Sequence, residues 1–463
     1  MEALLGDQYA DFLEVLQNED SVKGLRVNTH KLDARELVEN SPFELEKIDY
    51  VEGGFIVPDE AGAGKHPYHH AGAYYMQDPG AMSAVAAVPD ELWETEGLKI
   101  LDLCAAPGGK TTQLAAKCAD KGGVVLSNEY VTARSRILAG NVERMGLPNV
   151  MVTNLDSKYI AEWYPNLFDL VVVDAPCSGE GMYRKNDNAI SEWSLENVRM
   201  CAERQNEIIE NAARCVAPDG YMLYSTCTYS TEENEGVVAA FLDAHPDFSL
   251  CPCNGLVVER TADGIDITDG GRAELSLCRR FYPHVCRGEG QFAALFKRNS
   301  NCEARGDLVK NAAVSPSKAD KLAADAFIKE TVGKAFDGIC VVGGNLALCQ
   351  VLFENGLPLP PFGLVSAGVT LGECRKGRII PHHHYFTAYG CQFTSRYAAE
   401  PDSEAVLRYI SGEEIEIPSE LSGYTALLLK VGNAEITLGG GKAVGGRLKN
   451  YYPKGLRQLN LWR

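Results

Sequence analysis

The chain has 463 residues, too many for one hydrophobic core, and size alone points to about three domains. Its formal charge of −19 excludes a uniformly basic nucleic-acid binder, so any contact with phosphate must come from a local basic surface. No apolar run reaches the roughly 18 to 20 residues of a membrane helix, the start MEALLGDQYADFLEVLQNED lacks the pattern of a secretory signal, and 15 cysteines without framework spacing fit free thiols in a reducing cytoplasm.

Residues 1–92 mix an acidic amphipathic helix with short extended pieces such as GLRVNT and GGFIVP, and an α+β N-terminal domain is expected there. From 93 to 299, β-rich runs alternate with helical segments, the pattern of a doubly wound α/β sheet. KILDL (99–103), GVVLSNE (123–129), NVMVTN (149–154), FDLVVVD (168–174) and GYMLYST (220–226) predict strands, and 109–119, 131–145 and 195–217 predict helices. FYPHVCRGEGQFAALFKR (281–298) predicts an antiparallel hairpin that closes the sheet. The polar stretch 298–320 reads as a linker. The linker and a first C-terminal α/β segment fill 300–390, and the glycine-punctuated β-rich sequence within 391–463 predicts a small β-barrel. No internal repeat of fixed period is present.

Residues 435–463 carry Lys442, Arg447, Lys449, Lys454, Arg457 and Arg463 against the single acid Glu435, with Tyr451, Tyr452 and Trp462 interleaved. This composition predicts an RNA-contacting face. The histidines His66, His69, His70 and His382 to His384 show no Cys–His ligand spacing, so no metal is expected. The run at 382–384 follows Arg375, Lys376 and Arg378, and a surface or RNA-backbone position is expected for it.

LDLCAAPGGKTTQLAA places a strand before a tight Ala-Pro-Gly-Gly turn and a helix beginning near Gly109, so backbone N–H groups and the positive helix end face one bound group. A P-loop is excluded, because that motif needs a glycine five residues before Gly109 and the chain has Cys104. Glu129 ends the next strand twenty residues beyond Gly109, the spacing at which an acid binds the two hydroxyls of a ribose. Arg134, one turn into the following helix, is placed to orient Glu129 or reach the ligand, and Asp156 after the third strand to accept from an adenine amino group. With one mononucleotide-binding half and no second glycine fingerprint, S-adenosylmethionine fits better than a dinucleotide.

The fourth strand delivers Asp174, Pro176 and Cys177, and the fifth delivers Ser225, Thr226 and Cys227, at neighbouring carboxyl ends of an open sheet. Carbon 5 of a pyrimidine becomes nucleophilic only after a thiolate adds at carbon 6 and the ring is protonated at N3, and a base must later remove the carbon 5 proton. Asp174 suits the protonation, one cysteine the attack, and the other the base. Cys118, Cys201, Cys215, Cys340 and Cys349 lie in apolar or helical contexts and are expected to fill space.

LDLCAAPGGKTTQLAA, VVVDAPCSGEGMYRK and YSTCTYSTEENEGVV together resemble the NOP/SUN-type RNA cytosine-5 methyltransferases. YYMQDPGAMSAV resembles the family segment before the cofactor fold, RRFYPHVCRGEGQFAALFKR its closing hairpin, and GGGKAVGGRLKNYYPKGLR the PUA-like tail of the bacterial RsmF branch, which modifies small-subunit ribosomal RNA. The resemblance implies a Rossmann-like methyltransferase core with a mixed seven-stranded sheet, an N-terminal RNA-recognition domain and a PUA-like C-terminal region, acting on RNA as a monomer. It implies that Cys104, Ala105, Ala106, Pro107, Gly108, Gly109 and Lys110 form the S-adenosylmethionine loop, with Glu129 on the ribose, Asp156 by the adenine and Asp174 between cofactor and base. It also implies Cys227 as nucleophile and Cys177 as the residue that helps release product. DNA cytosine-5 methyltransferases attack with the Pro-Cys thiol and lack the second, so the presence of both favours RNA. One departure is QDPGAM, where the family more often shows serines after the proline and this chain has Gly80.

Overall fold

Short apolar runs broken by turn residues gather into four sheets in the computed structural model, which describes residues 1–185, 190–191, 193–268, 271–301 and 307–458. In the N-terminal part, β1 (Lys23–Val27), β2 (Glu46–Lys47), β3 (Gly54–Val57) and β4 (Tyr74–Met76) form an antiparallel sheet in the order β2-β3-β1-β4. The preceding helix Tyr9–Asn18 docks through Phe12, whose ring meets Tyr229 and Tyr282 edge-on at 5.2 and 6.0 Å. After β4, Asp78 caps the helix Pro79–Ala86 by accepting from the Gly80 amide.

The central sheet holds β5 (Lys99–Asp102), β6 (Val124–Asn128), β7 (Val150–Thr153), β8 (Phe168–Asp174), β9 (Val216–Thr226), β10 (Phe248–Leu250), β11 (Ala262–Asp263), β12 (Arg279–Phe281) and β13 (Gln291–Arg298). Strands β7-β6-β5-β8-β9 are parallel, and β13 and β12 follow antiparallel. Ile100, Leu101, Val125, Leu126 and Leu170 to Val173 are fully buried, which is why these strands read as near-continuous apolar runs. The seven strands form the S-adenosylmethionine methyltransferase fold, and the short β10 and β11 extend it beside β13 and β12.

Beyond the core lie β14 (Ile339–Val342), β15 (Asn345–Leu348), β16 (Leu364–Ala367), β17 (Val369–Arg375) and β18 (Arg378–Pro381). Four of them form the sheet β14-β15-β17-β18, but β16 leaves it and pairs antiparallel with β7, making the central sheet ten-stranded. The added strand covers an edge that would otherwise present unpaired backbone groups. The linker expectation changes accordingly. Val309 donates to the Trp163 carbonyl (2.8 Å), Ala312 to Leu359 (3.0 Å), and Val314 bridges Val341, so residues 309–314 are tied to the core. The C-terminal sheet, β19 (Arg396–Ala399), β20 (Ile415–Glu416), β21 (Gly423–Val431), β22 (Ala434–Val444) and β23 (Arg447–Asn450), runs β19-β21-β22-β23-β20. A register shift at Leu427/Leu428 lies within its longest pair, and such a bulge strengthens the twist that curls a PUA-like sheet.

The histidine run is not a surface feature. His382 caps the helix His383–Tyr389 by accepting from the His384 amide, while His383 and His384 are only 5% and 1% exposed. That helix is pinned between β22 and the helix Thr132–Met145, and the exposed cations Arg375, Lys376 and Arg378 belong to the preceding hairpin. Tyr452 is also buried, its hydroxyl 2.6 Å from His70 Nδ1, so it offers no face to RNA. Trp462 and Arg463 lie outside the described residues. Among the described residues no group of histidine, cysteine and carboxylate side chains is arranged to hold a metal, and no helix is long and apolar enough to cross a membrane.

Candidate active site

β5 ends at Asp102, and the chain turns through Cys104 to Gly108 before the helix Gly109–Cys118 begins. Gly108 has φ +110°, a conformation that favours glycine, so the sharp turn depends on this residue. The cradle residues Cys104 to Pro107, Gly109 and Lys110 line a cavity of about 220 Å³ together with Asp102, Asp174 and the N-terminal segment Tyr75 to Asp78.

Two residues here were not anticipated. Asp102 is fully buried; Thr111 Oγ1 donates to its Oδ2 (2.7 Å), its Oδ1 has no partner among the described residues, and burial pushes its pKa up to about 7. A sequence signal existed, since Asp102 is the last residue of the strand that feeds the cradle. Arg26 reaches across from β1, donating to Gln77 Oε1 (3.0 Å), the Gly109 carbonyl (3.2 Å) and Thr112 Oγ1 (2.8 Å), and burial lowers its pKa to about 9. The N-terminal sheet thereby holds the first turn of the cradle helix, and nothing local in the sequence announces it.

The acids at the next strand ends sit apart from this cavity. Glu129 is 4% exposed; its Oε1 accepts from the Val131 amide (2.8 Å), and its Oε2 lies 3.3 Å from Arg134. Arg134 also donates to the Ala106 carbonyl (2.8 Å), tying the second strand tip to the cradle loop. Asp156 is half-exposed and caps the helix Ser157–Trp163 by accepting from the Lys158 amide (3.0 Å). Glu129 and Asp156 thus have structural duties in addition to any ligand they take.

Strands β8 and β9 run parallel with Asp174 beside Ser225. Just past these ends the Sγ atoms of Cys177 and Cys227 lie 3.3 Å apart. The Cys227 neighbour and burial push the Cys177 thiol far above its ordinary pKa. Asp174 accepts from Ser225 Oγ (2.8 Å) and Gln291 Nε2 (3.3 Å) and is ion-paired with Lys110 at 2.7 Å.

Buried polar groups fix the two cysteine loops to each other. Glu233 Oε2 accepts from the Ser178 amide (3.0 Å) and from Gln205 (2.8 Å), which also bonds the Pro176 carbonyl. Glu180 Oε2 takes Thr228 Oγ1 and the Tyr229 amide, both at 3.1 Å, and Gly181 donates to the Cys227 carbonyl (2.9 Å). On the opposite wall Asp78 pairs with Lys185, and buried Arg184 with Glu289 (3.2 Å). Gly80 is there for space, because a Cβ would stand 2.3 Å from the Glu289 carbonyl oxygen. Cys118, Cys201, Cys215, Cys340 and Cys349 are buried. The arrangement brings together two sulfurs, a carboxylate–ammonium pair and a glycine-turned cradle, which suits covalent addition to an electrophilic ring beside a bound donor.

Comparison with known proteins gives the same lineage along the chain. Residues 91–297 match the family model of 16S rRNA methyltransferase RsmB/F, residues 1–79 the N-terminal domain of 16S rRNA methyltransferase RsmF, and residues 396–458 the methyltransferase RsmF PUA domain. Ribosomal RNA small subunit methyltransferase F of Vibrio parahaemolyticus is 32% identical over 95% of this chain and 92% of its own length. The protein of the same name from Aeromonas salmonicida is 29% identical over the same shares. A methyltransferase homologue from Pyrococcus horikoshii, known from a crystal structure, superposes with a TM-score of 0.53 at 25% identity, covering 63% of this chain and 91% of its own.

Proposed function

The chain belongs to the ribosomal RNA small subunit methyltransferase F family, and from that membership we propose that it methylates carbon 5 of a cytosine in 16S ribosomal RNA, with S-adenosylmethionine as donor and a cysteine–cytosine covalent intermediate. The observation that carries the chemistry is the pair of sulfurs 3.3 Å apart next to Asp174. One thiol is enough to pack a core. Cys340 and Cys349 are also paired, at 2.9 Å, but buried in the core, whereas Cys177 and Cys227 are partly exposed at strand ends beside Asp174 and held in register by Glu233, Gln205 and Glu180, which supports a reactive role.

The residues present fit the donor. Asp102 has a buried carboxylate oxygen without a partner, suited to an ammonium group, and the cradle turns its backbone toward the cavity through Gly108. Glu129 and Arg134 would hold the ribose end, and Asp156 the adenine. When bound, S-adenosylmethionine supplies an electrophilic methyl on a sulfonium.

Cys227 attacks carbon 6 as thiolate, forming the S–C6 bond while the C5=C6 electron pair is released toward carbon 5. The Asp174–Lys110 pair delivers the proton or hydrogen bond at N3, Lys110 being the donor member. Cys177, whose raised pKa favours the thiol, donates across the sulfur pair before attack. Once Cys227 is held in the S–C6 bond it no longer raises the Cys177 pKa, and Cys177 yields its proton to solvent. After methyl transfer the Cys177 thiolate takes the carbon 5 proton, the C5–H electron pair re-forms C5=C6, the S–C6 pair leaves with Cys227 as thiolate, and N3 returns its proton. The protein works as a monomer in the cytoplasm, with residues 1–92 and 391–463 as RNA-binding units flanking the catalytic domain 93–299, and 300–390 connecting them.

Separate cysteine replacements test this reading. Cys177→Ala should accumulate a denaturation-resistant protein–RNA adduct, whereas Cys227→Ala should form none and transfer no methyl. The reverse pattern would assign attack to Cys177, as in the DNA enzymes. Absence of radiolabel transfer to small-subunit RNA by the unaltered chain would remove the reaction altogether, leaving an assembly factor.

A further inference from the structure

The C-terminal cations divide into two kinds. Arg457 turns inward, its guanidinium donating to the Tyr452 carbonyl (3.2 Å). Lys442 and Lys449 turn outward and are exposed, directly opposite one another in the β22–β23 register. Like charges in that position destabilise a sheet, so folding alone does not account for the pair.

Tyr424 continues the same row on β21, opposite Lys442, whose Nζ sits 5.7 Å over its ring. The Tyr424 hydroxyl donates to the Ile379 carbonyl (3.1 Å), which locks the ring against the β17–β18 hairpin. That hairpin carries exposed Lys376 in its turn and exposed Arg378 at the start of β18, and Arg378 acts electrostatically on the Tyr424 hydroxyl. The half-buried Tyr451 ring stands 6.1 Å from Tyr424. Arg375 is paired with Glu373, but Arg378, Lys442 and Lys449 have no ion pair among the described residues. Glu330 also acts on Tyr424 without pairing any of them. Unspent positive charge interleaved with aromatic rings, in a chain of net charge −19, is the pattern of a surface kept for a polyanion.

We propose that Arg378, Tyr424, Lys442, Lys449 and Tyr451 form one composite face, shared between the β17–β18 hairpin and the C-terminal sheet, that binds the phosphate backbone of the substrate RNA. It rests on the reading that the substrate is RNA. The face spans two sheets, so the segment 300–390 takes part in recognition alongside the PUA-like end.

The test uses the full-length protein and in vitro-transcribed 16S ribosomal RNA. The triple variant R378Q/K442Q/K449Q should bind at least tenfold more weakly at low salt, and its plot of log K against log salt should be shallower by about 2 to 3. KM for RNA should rise while kcat is kept. Lys449→Glu alone should weaken RNA binding while leaving Tm unchanged or higher, because Lys442 gains an opposite charge across the strands. A purely structural role would lower both. Unchanged affinity and slope in the triple variant, with the parent protein methylating RNA normally, overturns the face and leaves the substrate reading standing. A loss seen only on assembled subunits, with naked RNA bound as before, overturns it in favour of a protein partner. A parent protein that binds no RNA at any salt overturns face and substrate reading together.

Discussion

Asp174 serves three neighbours at once, accepting from Ser225 and Gln291 while it neutralises a lysine that is only 7% exposed. Asp174→Asn keeps the shape and the acceptor oxygen but removes the charge that Lys110 answers, and with it the partner that holds Lys110 as the donor at N3. Single-turnover methyl transfer should fall about 10²- to 10⁴-fold, the usual range for a lost acid–base group. Stability should fall as well, because Lys110 is left buried and unpaired. The double variant K110Q/D174N separates the two effects: urea unfolding should recover toward the parent value while the rate stays low. A single variant within threefold of the parent rate would show that Asp174 is a structural partner of Lys110 and nothing more. At this scale the sequence was informative where chemistry is contiguous. Asp174, Cys177 and Cys227 end adjacent parallel strands, so their convergence follows from strand order. Arg26 was invisible, because it acts through a contact more than eighty positions along the chain that leaves no local pattern.

Elements were legible to the extent that their hydrogen bonds are local or their apolar runs continuous. The five parallel strands and the helices at 109–118, 132–145 and 195–215 lie within two or three residues of expectation at most ends, β9 alone starting four residues early. The failures are of pairing. Nothing in LVSA says that β16 will leave its neighbours for β7, since edge pairing is decided by which free edge the folded core offers. The helix Pro79–Ala86 shows how closely such elements meet. Gly80 faces the Glu289 backbone, which cannot swing aside as a side-chain end can, with the Asp78 carboxylate the next atom in the way. Gly80→Ala should therefore displace the helix start from the loop at 288–290 and cost about 1–3 kcal/mol, as overpacking does. Asp78, which caps this helix and pairs with Lys185, would shift with it. Urea unfolding and the KM for RNA should both worsen, and a Gly80→Ala variant as stable and active as the parent would mean the loop yields freely.

At the scale of the whole molecule, the N-terminal segment, the core and the C-terminal sheet meet around buried imidazoles. His70 bonds Tyr452, His383 packs edge-on against the same ring at 5.3 Å, and Thr387 of the His383 helix donates to the Glu143 carbonyl of the core. Burial lowers the pKa of His70 to about 4 and those of His383 and His384 to about 3, against 6.5 in an open chain. Below pH 6.5 the unfolded chain therefore takes up protons that the native chain refuses, so stability is present above that pH and is lost as pH falls toward the folded values. Each such histidine removes about 1.4 kcal/mol per pH unit in that window. Glu143 and Asp102, each raised by burial to about 7, work in the opposite sense below that value, but His66 and His69, lowered by burial to about 4 and about 2, add to the three imidazoles. His383 has no partner for either ring nitrogen among the described residues, so an apolar replacement removes its proton without stranding a donor or acceptor. His383→Leu should lose about 2 kcal/mol less than the parent between about pH 7 and pH 5 in paired urea titrations. Identical pH dependence in the two proteins would mean that water reaches this junction and that the histidines titrate there as they do in the open chain.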